Sequence, residues 1–247
     1  MKLEYVPLLQ LQRDLYDKPR TPARFKEYLD MLTDERGDMA LPLSGVNPMG
    51  KGHLPALLDD YLALGGDGIG AEVTAVAEKR LGLMSGAFRT ALVLADDLHG
   101  GWTNRYATEL GYLCRTKGVQ RRGWLVGHLW SSEAATAELV GETLFMGIYR
   151  GAYIAEHGYA ETLQEILAQE SYAWHLTAES SAENLMGVLD EEDLDYTTEV
   201  LASYLQSDQE PVLIAALFGD VGAHDLGYEP LGLSERAGLK LARQMRL

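Results

Sequence analysis

Between Phe88 and Ala95 the chain reads Phe-Arg-Thr-Ala-Leu-Val-Leu-Ala, apolar nearly throughout. A strand with one face in water alternates polar and apolar residues, whereas a strand covered on both faces does not. This run therefore predicts a central strand of a sheet with helices on either side. Gly123 to Trp130 is a second strand candidate, with Trp124, Val126, His128 and Trp130 on one face. Met39 to Ser44 is a third and weaker one, because Pro42 would confine it to an edge or a strand end.

Helical signals fill the rest. Residues 4–33 read as two helices: Leu8, Leu9, Leu11 and Leu15 give the first an apolar stripe, and Thr21-Pro22 starts the second. Residues 54–64 and 72–81 read as helices separated by the breaker Gly65-Gly66-Asp67-Gly68. A helix follows Asp96 to Arg105 and runs to about Thr116, and a long one runs from Glu133 to His157, where Gly147, Gly151 and Ala155 suggest a closely packed neighbouring helix. Beyond Gly158 only helices are expected, over 160–176, 190–206, 210–226 and 234–246.

Alternating strands and helices imply parallel pairing through right-handed crossovers. The expected fold is thus a helix-rich α/β domain with a small sheet of about three mostly parallel strands and an all-helical C-terminal part. A mainly α chain, with the strands at 40–44 and 124–130 not formed, is the alternative. The expected organisation is a single domain over 1–247: a helical segment 1–35, an α/β core 36–158, and a helical part 159–247 packed on it.

Charge narrows the partners. Lys and Arg number 21 against 37 Asp and Glu, a formal charge of −16. Such a chain repels phosphate backbones and anionic membrane surfaces unless it carries a dense basic patch. The nearest thing to one, Lys117 with Arg121 and Arg122, is too short. No nucleic acid and no membrane are expected as partners, while homo-oligomerisation stays open. The N-terminus lacks the apolar core of a secretory signal, so a cytoplasmic location is expected. The one cysteine, Cys114, sits among Leu110 and Leu113 and reads as a small buried hydrophobe.

In parallel α/β sheets ligands bind beyond the carboxyl ends of the strands. Three segments would converge there: Ser44 to His53, Asp96 to Arg105, and Ser131-Ser132-Glu133. The first carries Asn47, Gly50, Lys51 and His53. Its glycines permit main-chain N–H groups to approach an anion at the start of the following helix, with Lys51 as a mobile cation and His53 as a proton donor. The spacing Gly45-x4-Gly50-Lys51 matches a Walker A motif up to its last position, where Gly52 replaces the magnesium-holding Ser or Thr; the run ending in Asp96-Asp97 resembles a Walker B.

The second segment is the most distinctive. Asp96 and Asp97 can bind a hard cation such as magnesium, its identity left open, or act as a base. His99 can exchange protons, Trp102 can wall a pocket, and Thr103 and Asn104 offer hydrogen bonds. Arg105 can fork onto a carboxylate or phosphate, or simply pair with Asp96 or Asp97. A third candidate is the face of the long helix bearing Glu142, Tyr149, Tyr153 and His157 with Arg150 beside it, read first as a structural network.

Common zinc signatures, a Glu-x-x-His helix, a Gly-x-Ser-x-Gly elbow and a Gly-x-Gly-x-x-Gly after a strand are all missing from the sequence. The leading expectation is a protein that binds, and in an enzymatic version transforms, a small anionic metabolite (a phosphate ester or carboxylate) at loops 44–53 and 96–105. Two alternatives stand beside it. One is a non-catalytic helical interaction or scaffold protein, suggested by the helical tail and 13 tyrosines. The other is a nucleotide-dependent phosphotransferase using the Walker-like pair.

Overall fold

The structure, a computed structural model, describes residues 1–43, 45–98, 103–115, 120–180 and 187–245, the Arg115 side chain apart. Its sheet has three parallel strands in the order of the chain: β1 (Lys2–Tyr5), β2 (Ala87–Ala95) and β3 (Trp124–Trp130). The helices are α1 (Leu8–Tyr16), α2 (Pro22–Leu32), α3 (His53–Ala63), α4 (Gly66–Arg80), α5 (Arg105–Leu110), α6 (Ala137–His157), α7 (Leu163–Ser180), α8 (Glu191–Ala202), α9 (Glu210–Asp225) and α10 (Ala237–Gln244). A π-helical turn, Gly111–Arg115, extends α5. None of the helices is long and apolar enough to cross a membrane among the described residues. The helix-rich α/β class with a small parallel sheet is thus the observed fold.

The chain divides into two compact units. The first comprises Met1–Asn104 and Gly118–Ile148, the second Arg105–Lys117 and Tyr149–Leu247.

In the first unit β2 is the central strand, and Thr90 to Ala95 are buried as the apolar run requires. Two corrections to the sequence reading concern the edge next to it. The outer strand is β1, not residues 39–44. Lys2-Leu3-Glu4-Tyr5 alternates in burial as a strand should, and Pro7 then caps α1 from outside the helix. The described residues of that segment, 39–43, form no strand; Asp34, accepting from the amides of Arg36 and Asp38, closes a turn just before them. Only an isolated antiparallel bridge forms, Thr33 with Met39. Leu43 and Val46 still enter the core with Ala91 and Val93, as loop residues.

β1 covers only the first half of β2, pairing Lys2 to Tyr5 with Ala87 to Thr90. Beyond that, β2 has no strand on this side. Gln12 of α1, fully buried, stands in for one: its Oε1 accepts from the Leu94 amide at 3.0 Å and its Nε2 donates to the Leu92 carbonyl at 3.5 Å. A side-chain amide carries the same donor and acceptor as a peptide group, so the uncovered ladder positions stay satisfied.

The supposed breaker at 65–68 is a further correction: α4 starts at Gly66 and continues through Gly68 and Gly70. Gly70 is a packing site, since a Cβ there would lie 2.4 Å from the Tyr5 ring. On the other side, α6 lies so close to β3 that a Cβ on Gly147 would be 2.6 Å from the Val126 carbonyl oxygen. The close neighbour of that small residue is therefore a strand rather than a helix.

Among its described residues the second unit has helices and no strand. Its core gathers Leu110, Leu163, Ile166, Leu213, Leu217 and Phe218 around α9. Gly219 breaks the helical path of α9 with φ +75°, and a Cβ on it would fall 2.1 Å from the Ser234 carbonyl oxygen. Cys114 is buried here, its thiol donating to the Leu110 carbonyl.

Candidate functional site

β2 ends at Ala95, and the next residue, Asp96, turns a nearly buried carboxylate (3% exposed) toward the polar end of the sheet. An isolated buried carboxylate would be costly, so the arrangement of donors around it is informative. Its Oδ2 accepts from Asn47 Nδ2 at 2.8 Å. Its Oδ1 accepts from His53 Nε2 at 3.0 Å, lies 3.0 Å from Ser131 Oγ, and takes a longer bond from the Leu98 amide at 3.3 Å. Two other chain segments, the 47–53 loop and Ser131, thus meet on this carboxylate.

Each segment has a local reason to be there. Asn47 folds its own loop: Oδ1 accepts from the Met49 amide and the main-chain oxygen accepts from the Gly50 amide, an Asx turn followed by Pro48. Tyr16, at the end of α1, donates its hydroxyl to that same Asn47 carbonyl and pins the loop to the helix. His53 is the first residue of α3, so the loop delivers it directly to Asp96. Ser131 follows β3, whose register sets Trp130 beside Ala95, so Ser131 emerges next to Asp96. Thr103 donates to the Asp96 carbonyl oxygen at 2.9 Å.

Asp97 faces the β3 end as well. Its Oδ1 accepts from the Ser132 amide at 2.9 Å and its Oδ2 from the Ser132 hydroxyl at 2.6 Å. Ser131 Oγ lies 3.0 Å from one oxygen of each aspartate while accepting from the amides of Asp97 and Leu98.

Burial pushes the Asp96 carboxyl toward protonation, but the bonds from His53, Asn47 and Ser131 outweigh it and hold the group below the ordinary carboxylate range. Tyr16 moves the other way. Burial, and then the negative charge of Asp96, raise its phenol well above the usual value, so it stays neutral and keeps its proton for Asn47. Arg24 lies over the Tyr16 ring, 5.4 Å from its centroid, with Nη1 donating to the Lys18 carbonyl at 3.0 Å.

The expected site residues separate into groups. Asn47, His53, Asp96, Asp97 and Thr103 come together. Gly50 shapes the loop, and Lys51 stands exposed two residues before His53. Asn104 is half-buried after Thr103. Arg105 belongs to the second unit, where its Nε pairs with Glu109 at 2.9 Å. Ser44, His99 and Trp102 lie outside the described residues. Tyr16 was not foreseen; the helical spacing from Gln12, four residues earlier, was the only signal that it shares the inward face of α1. Among the described residues no group of three or more His, Cys, Asp or Glu is arranged to hold a metal ion.

The polar face of α6 and its neighbours form an internal network in the second unit. Tyr149 shares a hydrogen bond with Ser180, Tyr153 packs on His157 and Tyr172, and Arg150 makes a bidentate pair with Glu170 at 2.6 and 2.7 Å. Glu109 holds both Arg105 and Arg236.

In a serine nucleophile relay the imidazole lies between hydroxyl and carboxylate. Here the carboxylate lies between imidazole and hydroxyl, so the geometry does not activate Ser131. What it does build is a His–Asp pair. Contact with Asp96 places the imidazole proton on Nε2 and leaves Nδ1 as the basic nitrogen, with the carboxylate ready to stabilise an imidazolium. Comparison with known proteins finds no matching family model, no matching curated protein and no matching solved structure.

Proposed function

We propose that the first unit binds a small anionic metabolite, a phosphate ester or carboxylate, at the end of the sheet, and that His53 exchanges a proton with it. The observation that carries this reading is the buried Asp96 carboxylate, with Asn47 and His53 from one segment and Ser131 from another converging on it. Asp96 orients the imidazole through Nε2. A positioned acid–base group of this kind contributes about 10²–10⁴-fold to a rate. Lys51 supplies the positive charge at the rim. The geometry gives no support to the phosphotransferase alternative, because the segment before the Walker-like loop is not a strand.

The test is thermal stability against phosphorylated and carboxylated metabolites and nucleotides, with and without magnesium. A specific ligand at 100 times its dissociation constant adds about 2.7 kcal/mol. Lys51→Ala should abolish that stabilisation, and His53→Ala should abolish turnover of the same ligand. Silence across the panel, or undiminished binding by Lys51→Ala, defeats the proposal.

A further inference from the structure

β1 is an outer strand, and its register determines which of its main-chain groups are used. The Lys2 amide donates to the Gly86 carbonyl and the Val6 amide to the Thr90 carbonyl, with Lys2 beside Ala87 and Glu4 beside Arg89. In a parallel ladder alternate residues bond to the same neighbour. Lys2, Glu4 and Val6 therefore turn their peptide groups toward β2, while those of Leu3 and Tyr5 point away from the sheet. No strand lies beyond β1 among the described residues. The side chain of Lys2 is 86% exposed, and Glu4 is exposed. At the start of the strand is an open groove of about 600 Å³, lined by Met1, Lys2, Ala75, Glu78 and Met84 among others. Val76 (48%) and Leu83 (105%), next in sequence to those lining residues, are exposed.

We propose that this edge pairs with the same edge of a second copy of the chain, antiparallel about a two-fold axis through Leu3. In that register Leu3 exchanges both main-chain hydrogen bonds with the partner's Leu3. Lys2 then faces the partner's Glu4, and Glu4 faces the partner's Lys2. These are the non-hydrogen-bonded positions, where cross-strand residues approach most closely, with Cα atoms about 4.5 Å apart. Charge selects the register. An axis through Glu4 would also satisfy the outward peptide groups, but it sets Glu4 against the partner's Glu4, and like charges directly opposite are destabilising. Short, charged edges normally resist indiscriminate pairing. The alternation of Lys2 and Glu4 turns that resistance into selection of one partner in one register. The net charge of −16 opposes association at long range. At physiological ionic strength it is screened beyond about 8 Å, a distance the cross-strand pairs lie well inside.

The experiment is analytical ultracentrifugation of the full chain at physiological ionic strength, from micromolar to millimolar concentration. A reversible dimer is expected. Lys2→Glu and Glu4→Lys should each raise its dissociation constant about tenfold or more, since each replaces two attractive pairs with two repulsive ones. Mixing the two variants should restore association, and so should the double exchange within one chain. Leu3→Pro removes an amide that the β1–β2 ladder does not use, so it should give a folded monomer with an unchanged circular dichroism spectrum. A wild-type monomer throughout the range overturns the proposal. So does a dimer that Lys2→Glu leaves intact, or a mixture that associates no better than either variant alone.

Discussion

Replacing Asp96 by Ala and by Asn separates what its charge does from what its shape does. Alanine removes the acceptor for Asn47 Nδ2 and His53 Nε2 at once, and leaves the Leu98 amide with Ser131 Oγ and the Ser131 hydroxyl with Asp97. A buried donor left without a partner costs about 1–3 kcal/mol. His53 is a quarter exposed and can turn to water, so the sum should come to about 3 kcal/mol rather than the full total. For a chain of this size that is a fall in Tm of roughly 6–12 °C. Asparagine behaves differently. Its oxygen can keep Asn47, and its amide can donate to Ser131 and to His53 once the imidazole moves its proton to Nδ1. The cost then falls to about 1 kcal/mol, the loss of charge assistance, but the tautomer is inverted. Calorimetry reads the first effect, and ¹⁵N chemical shifts of the His53 ring read the second. The pH dependence follows from sign. Asp96 has its carboxyl lowered in the folded chain, so its contribution is present above the ordinary carboxylate pKa near 4 and is lost as pH falls through the lower folded value. The gap between wild type and Asp96→Ala should therefore close below about pH 4. An alanine variant as stable as wild type at pH 7, a deficit undiminished in acid, or an unchanged His53 tautomer in Asp96→Asn would refute the account.

Other parts of the molecule give equally direct tests. Glu109→Gln strips the shared negative partner from Arg105 and Arg236, whose side chains are only 21% and 15% exposed, and should cost about 3–5 kcal/mol in a denaturant titration; an unchanged midpoint would count against a buried network. Gly219→Ala imposes a Cβ both at a positive φ and 2.1 Å from the Ser234 oxygen, so a loss of more than about 2 kcal/mol is expected, and a variant of native stability would mean that α9 is not kinked there. Cys114 should react with a thiol reagent only as fast as the second unit opens, with labelling accelerated by denaturant; immediate labelling of the native protein would contradict its burial.

The two long strands were legible because an uninterrupted apolar run has few other uses: residues 88–95 and 123–130 became Ala87–Ala95 and Trp124–Trp130. The C-terminal helices were legible from caps and breakers, with α9 observed at Glu210–Asp225 against an expected 210–226. β1 was not, since four alternating residues beside a leucine-rich stripe carry too weak a period to be told from a helix start. Residues 39–44 misled for the opposite reason. Their apolar content reflects the burial of Leu43 and the packing of Leu41 on the same core, which a loop achieves as well as a strand. The glycines of α4 were read as punctuation, yet at Gly70 the missing side chain is room for Tyr5, a fact about another element that no local pattern contains. The meeting of Asn47 and His53 with Asp96 was expected from a rule about strand ends. It occurs although the loop that carries them does not follow a strand.

That exception has a structural cause, and it lies in the strand the sequence concealed. Because β1 stops at Tyr5, the edge of β2 beyond Thr90 has no ladder, and α1 occupies the space. Gln12 completes the hydrogen bonding of Leu92 and Leu94, and Tyr16, one turn further along the same face, reaches the Asn47 carbonyl. The loop that delivers Asn47 and His53 to Asp96 is thus held by a helix substituting for the missing half of a strand. A full-length β1 would compete with α1 for this edge and remove the anchor for that loop. The short strand and the candidate site are therefore two consequences of one packing decision. Gln12→Ala, which leaves the Leu94 amide without its acceptor, should loosen both the upper edge of β2 and the His53–Asp96 contact. Amide exchange at Leu94 and the His53 ring ¹⁵N shifts should change together if α1 links them. A change in the first with none in the second would separate the sheet edge from the site.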